Sequence, residues 1–141
     1  MNFEVCTSDE IKTIVKGIND YNYSKVPPIL SEMWTPINYV VKDSNQEILG
    51  GLLSGIGYWG GLEIKILWVR EDMRQQGIAS KLLKTVEDVA ITKGATISIL
   101  DTFDFQAEVF YLKNGYTIFG KLDDFPSGHH RVYLSKKLSN D

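Results

Sequence analysis

The chain has 141 residues, 43% of them hydrophobic and 23% charged, with a net charge of −3. These values predict one globular domain over residues 1–141 with one core, and they give a nucleic-acid surface no basic footing while leaving room for a cationic ligand. No apolar run nears the ~18 residues a membrane helix needs and the N-terminus lacks a charged-then-apolar leader, so a soluble, cytoplasmic protein with no membrane partner is expected.

The pattern from Asn2 to Cys6 predicts a short apolar strand with Cys6 in the core. Cys6 is the single cysteine, which excludes an internal disulfide, and no Cys/His spacing suggests zinc, so no metal is expected. A helix is predicted to start near Thr7 or Ser8, with Ile11, Ile14, Val15 and Ile18 as its apolar stripe. From Tyr21 to Pro36 the periodicity dissolves into an aromatic loop or short helix, suited to the wall of a pocket. Strands are predicted next at about 37–42, 48–58 and 62–69, the first two joined by the turn Asp43-Ser44-Asn45-Gln46, which implies an antiparallel meander. Gly55-Ile56-Gly57-Tyr58-Trp59-Gly60 matches the dinucleotide-binding glycine fingerprint in letters. The next segment, Leu62 to Trp68, alternates like a strand rather than starting a helix, so those glycines are expected to mark a hairpin or bulge.

The run Leu67-Trp68-Val69-Arg70-Glu71-Asp72-Met73-Arg74-Gln75-Gln76-Gly77-Ile78-Ala79-Ser80 leads from an apolar strand through a basic turn into an amphipathic helix. Ala79, Leu82, Leu83, Val86, Val89 and Ala90 recur at helical spacing, with Lys81, Lys84, Glu87 and Asp88 placed on the opposite face. The helix start offers unpaired N–H groups and the positive end of the macrodipole, which suit phosphate oxygens. Gly77 and Ala79 permit close approach, Arg74 supplies a forked cation, and Gln75 and Gln76 can donate. The helix is expected to end at Gly94, with a parallel strand over 96–101, a short helix over 106–113, and a final antiparallel pair at 116–122 and 131–137.

Two segments together, the Arg74-x-x-Gly77-x-Ala79 turn and Ala107-Glu108-Val109-Phe110-Tyr111-Leu112-Lys113-Asn114-Gly115-Tyr116, resemble the signature of the GNAT superfamily of N-acetyltransferases. The resemblance covers residues 37–138. It implies an α/β fold with a mixed, mostly antiparallel central sheet flanked by helices and a βαβ core that binds acetyl-CoA, and an acetyl group passed directly to the amine of a small molecule. By the same resemblance Tyr111 is the acid that protonates the departing thiolate, and Glu63 is the base. Main-chain groups of Leu67, Trp68 and Val69, the 74–80 turn, and Ala107, Phe110 and Lys113 contact the donor. Relatives often carry Asn where this chain has Asp104, and an ionised carboxylate only accepts hydrogen bonds, so that contact to the pantetheine is rearranged or lost.

Trp34, Trp59, Phe103 and His129 are candidates for the acceptor side, and the loop Asp123 to His130 is expected to act as a lid over it. Its adjacent histidines diverge and lack a third ligand, which argues against a metal. Two other functions share the motifs: acetylation of a protein lysine or N-terminus, and a non-catalytic acyl-CoA sensor. A homodimer is an expectation by analogy with relatives.

Overall fold

Alternation and turn chemistry assemble one half of the sheet from consecutive strands. The computed structural model describes residues 1–139; residues 140 and 141, the end of the expected domain, lie outside the described residues. Strands β1 (Trp34–Lys42), β2 (Ile48–Gly57) and β3 (Gly61–Val69) form the expected antiparallel meander. In the first turn the Asp43 carboxylate accepts from the N–H groups of Asn45 and Glu47 at 2.8 and 3.0 Å, an Asx turn that closes the hairpin locally. In the second, Gly60 has φ of 84° and its N–H donates to the Gly57 carbonyl at 2.9 Å. The Gly55–Gly60 run therefore forms the hairpin between β2 and β3, and it leads into a strand, not a helix.

Helix α2 (Ile78–Thr92) carries the chain from β3 to the parallel strand β4 (Ile97–Phe103), and a short helix α3 (Glu108–Lys113) leads on to the hairpin of β5 (Thr117–Asp123) and β6 (His130–Lys137). Among the described residues the six strands run β1-β2-β3-β4-β6-β5, so β6 enters between β4 and β5, and only the β3–β4 pair is parallel. This is the mixed, mostly antiparallel sheet with a βαβ unit that the motifs imply. Leu82, Leu83, Val86 and Ala90 of α2 pack against Leu52, Ile56, Leu62 and Ile64 of the meander, and burying such side chains is worth about 1.5–3 kcal/mol each.

Four expectations are corrected. Residues 2–6 form no strand, and Cys6 is exposed rather than in the core. The predicted helix does start with Thr7 as its cap, in a capping box with Glu10; as α1 (Ser8–Lys25) it runs on without a break into the stretch read as loop or short helix, and β1 begins already at Trp34. No residue of α1 is buried, so its apolar stripe faces outward. Glu87, assigned to the polar face of α2, is only 4% exposed. Its carboxylate accepts from the Tyr116 hydroxyl and the Lys136 ammonium, both at 2.8 Å, and Ser98 bonds the same hydroxyl at 2.7 Å. Burial pushes the Tyr116 hydroxyl well above the usual phenol range.

One glycine of β2 is tightly constrained by the end of β3. A Cβ on Gly50 would lie 2.8 Å from the Trp68 carbonyl oxygen and 3.2 Å from the Val69 Cα, both main-chain atoms. Gly50→Ala is expected to destabilise the protein by about 1–3 kcal/mol in denaturant unfolding. Gly17→Ala, in a helix with nothing within 4 Å, is expected to stabilise it by about 0.5–1 kcal/mol.

Candidate active site

The site begins where the sheet fails to stay closed. Strands β3 and β4 pair only from Gly61 to Glu63 against Ile97 to Ile99. The β2–β3 register slips between the Leu53–Ile66 and Ser54–Ile64 pairs, which leaves Lys65 as an extra residue in β3. The inward-facing positions accordingly change from Leu62 and Ile64 to Leu67 and Val69, and the strand turns away from β4. Between the parted strands lies a cleft of about 500 Å³, walled by Lys65 to Val69 on one side and by Asp101, Thr102 and residues 105–107 on the other, with Phe110 and Tyr111 of α3 also in its lining.

At the start of α2 the cleft meets a second cavity of about 280 Å³, with Val69, Arg74, Ala79 and Phe110 common to both. Gln75, Gly77, Ile78 and Ser80 complete the predicted residues there, whereas Gln76 is exposed and lines neither. Gln75 and Gly77 both adopt left-handed backbone, at φ 61° and 78°. Gly77 caps α2 with no side-chain hydrogen bond, no acidic residue stands in the first turn, and the first intrahelical bond is Lys81 N–H to the Gly77 carbonyl at 3.1 Å. The N–H groups of the first turn therefore have no intrahelical acceptor and sit in a field that favours anions. Arg74 Nε donates to the Val69 carbonyl at 3.0 Å, which ties the guanidinium to the strand end where both cavities meet.

Tyr111 is 5% exposed, with its ring edge-on to Phe110 and Tyr116 at 5.2 and 5.5 Å between centroids. Burial, which disfavours the phenolate, pushes its hydroxyl up to about 12. Glu63 does not line that cleft. It lines a groove of about 450 Å³ on the other side of Lys65 and Asp101, two residues that line both depressions. Its carboxylate stands 3.7 Å from the Lys65 ammonium, and Asp101 is held by Arg131 through Nε at 2.9 Å. The Arg131 guanidinium lies over the rings of Phe103 and Tyr133, each at 5.4 Å. This pairing across β4 and β6 has no signal in sequence, since thirty residues separate its partners.

Asp104 is turned to the 123–130 loop. It stands 3.0 Å from His129 Nδ1 and 3.5 Å from His130 Nδ1, while His130 Nε2 lies 3.0 Å from the Glu108 carboxylate. The loop is closed on itself as well, with Gly128 N–H on Asp124 at 2.8 Å and His129 N–H on the Pro126 carbonyl at 2.8 Å. Gln106 takes over the turn after β4, its Oε1 accepting from Phe103 N–H at 2.9 Å. Of the acceptor candidates, Phe103 and His129 reach the cleft only through Phe105, which stacks on Phe103 at 5.3 Å and meets His129 edge-on at 5.1 Å. Trp34 lies across Gly55 with the Lys65 ammonium over its ring at 5.5 Å, Trp59 bonds the Val26 carbonyl at 3.2 Å, neither lines the cleft itself, and Lys113 is exposed outside it.

The model of the acetyltransferase (GNAT) domain matches residues 35–118, which span the bulged strand, the uncapped helix start and α3. The chain belongs to the GNAT acetyltransferase family. This acetyltransferase is similar to an acetyltransferase of known structure from Bacillus cereus, with 34% identity, a TM-score of 0.89 and 98% of each chain covered. It is also similar to a blasticidin-S acetyltransferase of Streptomyces morookaense, 34% identical over 93 residues, which are 65% of this chain and 68% of that protein. The fold extends to an aminoglycoside 6'-N-acetyltransferase solved with coenzyme A, 18% identical with a TM-score of 0.68 over 80% of this chain and 77% of the other. Among the described residues no helix is long and apolar enough to cross a membrane, and no group of three or more His, Cys, Asp or Glu side chains is placed to hold a metal ion.

The Tyr111 hydroxyl keeps its proton below its pKa, so with that value near 12 rather than 10.0 the acid form persists across the alkaline range. The expected kcat therefore shows no fall through pH 10 attributable to a tyrosine. A kcat profile dropping tenfold per unit from about pH 10, and lost in Tyr111→Phe, would contradict this environment.

Proposed function

We propose that this acetyltransferase is a single domain that takes acetyl-CoA as donor and passes the acetyl group directly to the amine of a small molecule. The observation that carries the proposal is continuity: an uncapped helix start and a buried tyrosine line cavities that share Val69, Arg74, Ala79 and Phe110. The α2 N-terminus and Arg74 hold the diphosphate, by N–H groups without intrahelical partners and a guanidinium fixed to the strand end. Main-chain groups of Leu67, Trp68 and Val69 hold the extended pantetheine arm, because on the β4 side they have no strand partner. Ala107 gives the arm room, and Phe110 packs where the two cavities meet. Acetyl-CoA, when bound, supplies the thioester carbon that the amine attacks.

Tyr111 gives its proton to the departing sulfur. Glu63 takes the surplus proton from the amine through water, since it faces the adjoining groove rather than the cleft itself. The blasticidin-S and aminoglycoside enzymes among its similar proteins favour a small-molecule acceptor over a protein one, and the groove that would admit it carries both carboxylates and cations. Asp104, bonded to the two histidines, is withdrawn from donor binding, and its role passes to holding the 123–130 loop beside Phe105.

Calorimetric titration with acetyl-CoA, followed by thiol-release assays on a panel of small amines and lysine peptides, tests the reading. Arg74→Ala is expected to weaken donor binding about tenfold, whereas Tyr111→Phe lowers kcat by about 10²-fold with donor affinity nearly unchanged. Absence of acetyl-CoA binding would overturn the proposal, and turnover confined to lysine peptides would replace its acceptor.

A further inference from the structure

We infer that the first 25 residues form an arm that docks on a second copy of this chain, residues 2–6 adding to the open edge of β1 and α1 covering the apolar sheet face beside it. Three observations carry this. Residues 2–6 alternate like a strand yet have no strand partner among the described residues, and Phe3 and Val5 are 91% and 95% exposed. A strand with neither ladder nor core contacts is not stable in water. Helix α1 spans 18 residues and buries none, although a helix owes most of its stability to packing of its apolar face. Its stripe of Ile11, Ile14, Val15 and Ile18 is instead left to solvent.

The third observation is a matching vacancy on the same chain. β1 is the edge of the sheet, hydrogen-bonded to β2 alone. Next to it, on the face away from α2, Val40, Leu53, Ile66 and Trp68 are each about half exposed. Register makes them one patch: Leu53 stands opposite Ile66, and Val40 and Trp68 flank Gly51. One chain thus carries an unpaired strand and an uncovered helix stripe, and also an unpaired edge and an uncovered sheet face. The arm does not close on its own sheet. Contacts of α1 with the body come from its second half, where Asn19 bonds Met33 and Tyr58 at 3.0 and 3.3 Å and the Tyr23 ring meets Tyr58 at 5.1 Å, while the first half stays exposed.

Reciprocal exchange of arms satisfies both sets of surfaces by a two-fold operation. Phe3, Val5, the α1 stripe and the four patch residues are all exposed apolar side chains, the surface that a two-fold interface would cover. Ile66 and Trp68 also line the main cleft, so the partner's α1 lies against its wall.

The test reads mass and thiol protection together. Light scattering on the 141-residue chain is expected to give twice the monomer mass, with Cys6, its single cysteine, reacting with a disulfide reagent at least tenfold more slowly than in denaturant. Ile14→Glu and Leu53→Glu alter residues 60% and 45% exposed in the monomer, so each is expected to keep its circular dichroism while becoming monomeric with a fast-reacting Cys6. A monomer at every concentration, a dimer with an unprotected Cys6, or a dimer that survives both substitutions overturns the inference. A monomer with a protected Cys6 overturns it too, since the arm would then lie on its own sheet. Should either variant misfold, protection of Cys6 in the unaltered dimer still decides.

Discussion

Two parallel strands that share a ladder for three residue pairs and then separate impose most of what is distinctive in this molecule. Main-chain groups on the parted edges cannot be left bare in a dry interior, so the opening must be wetted, filled by side chains or filled by a ligand. Here the extra residue at Lys65 begins the divergence, the apolar faces of Leu67 and Val69 stay on the core, and the facing wall is closed by Gln106 and Ala107. The cleft is in this sense an unfinished seam of the sheet. Its far end coincides with a helix start whose own N–H groups are equally unfinished.

A seam needs rigid banks, and the buried network on α2 supplies one. Glu87 in the core would cost several kcal/mol if left unpaired. Its carboxylate accepts from Tyr116, just before β5, and from Lys136 of β6, and Ser98 of β4 bonds the same Tyr116 hydroxyl, so its partners lie on the far side of the seam. α2 is thereby bolted to the β4–β6–β5 half of the sheet while its apolar stripe rests on the β1–β3 half. The helix spans the split and keeps its two sides at a fixed separation. Tyr111 packs edge-on to that same Tyr116, so the buried phenol proposed as the acid is held by the structure that bridges the opening.

Much of this could be read from the chain. The α2 stripe and the Gly94 stop are local in sequence, and each appears where spacing placed it, because helix periodicity and turn chemistry are short-range effects. Glu87 was legible in part: it stands four residues after Leu83 and three before Ala90, inside the stripe, and only its charge argued for the surface. The bulge at Lys65 had no such signal, since the alternation from Leu62 to Ile66 passes into the apolar run Ile66-Leu67-Trp68-Val69, which fits either register. Asp104 was placed by homology of position, but its partners lie on a loop 25 residues downstream, and pairing across that distance is decided by tertiary structure. The 2–6 segment shows the opposite failure: its apolar pattern signals burial without saying against what.

The position of β6 also has a consequence for the order of events during synthesis. It is made last of the six strands, yet it sits inside the sheet between β4 and β5, and β4 has otherwise only its short ladder to β3. While β6 is still within the ribosome, the β1–β3 meander and α2 can already assemble, but β4 has almost nothing along its other edge and Glu87 lacks Lys136. The bank of the cleft that carries Thr102, Phe105 and Tyr111 is therefore completed only after β6 emerges. A nascent chain halted before that point holds the helix-start bank of the cleft without a finished bank around Tyr111.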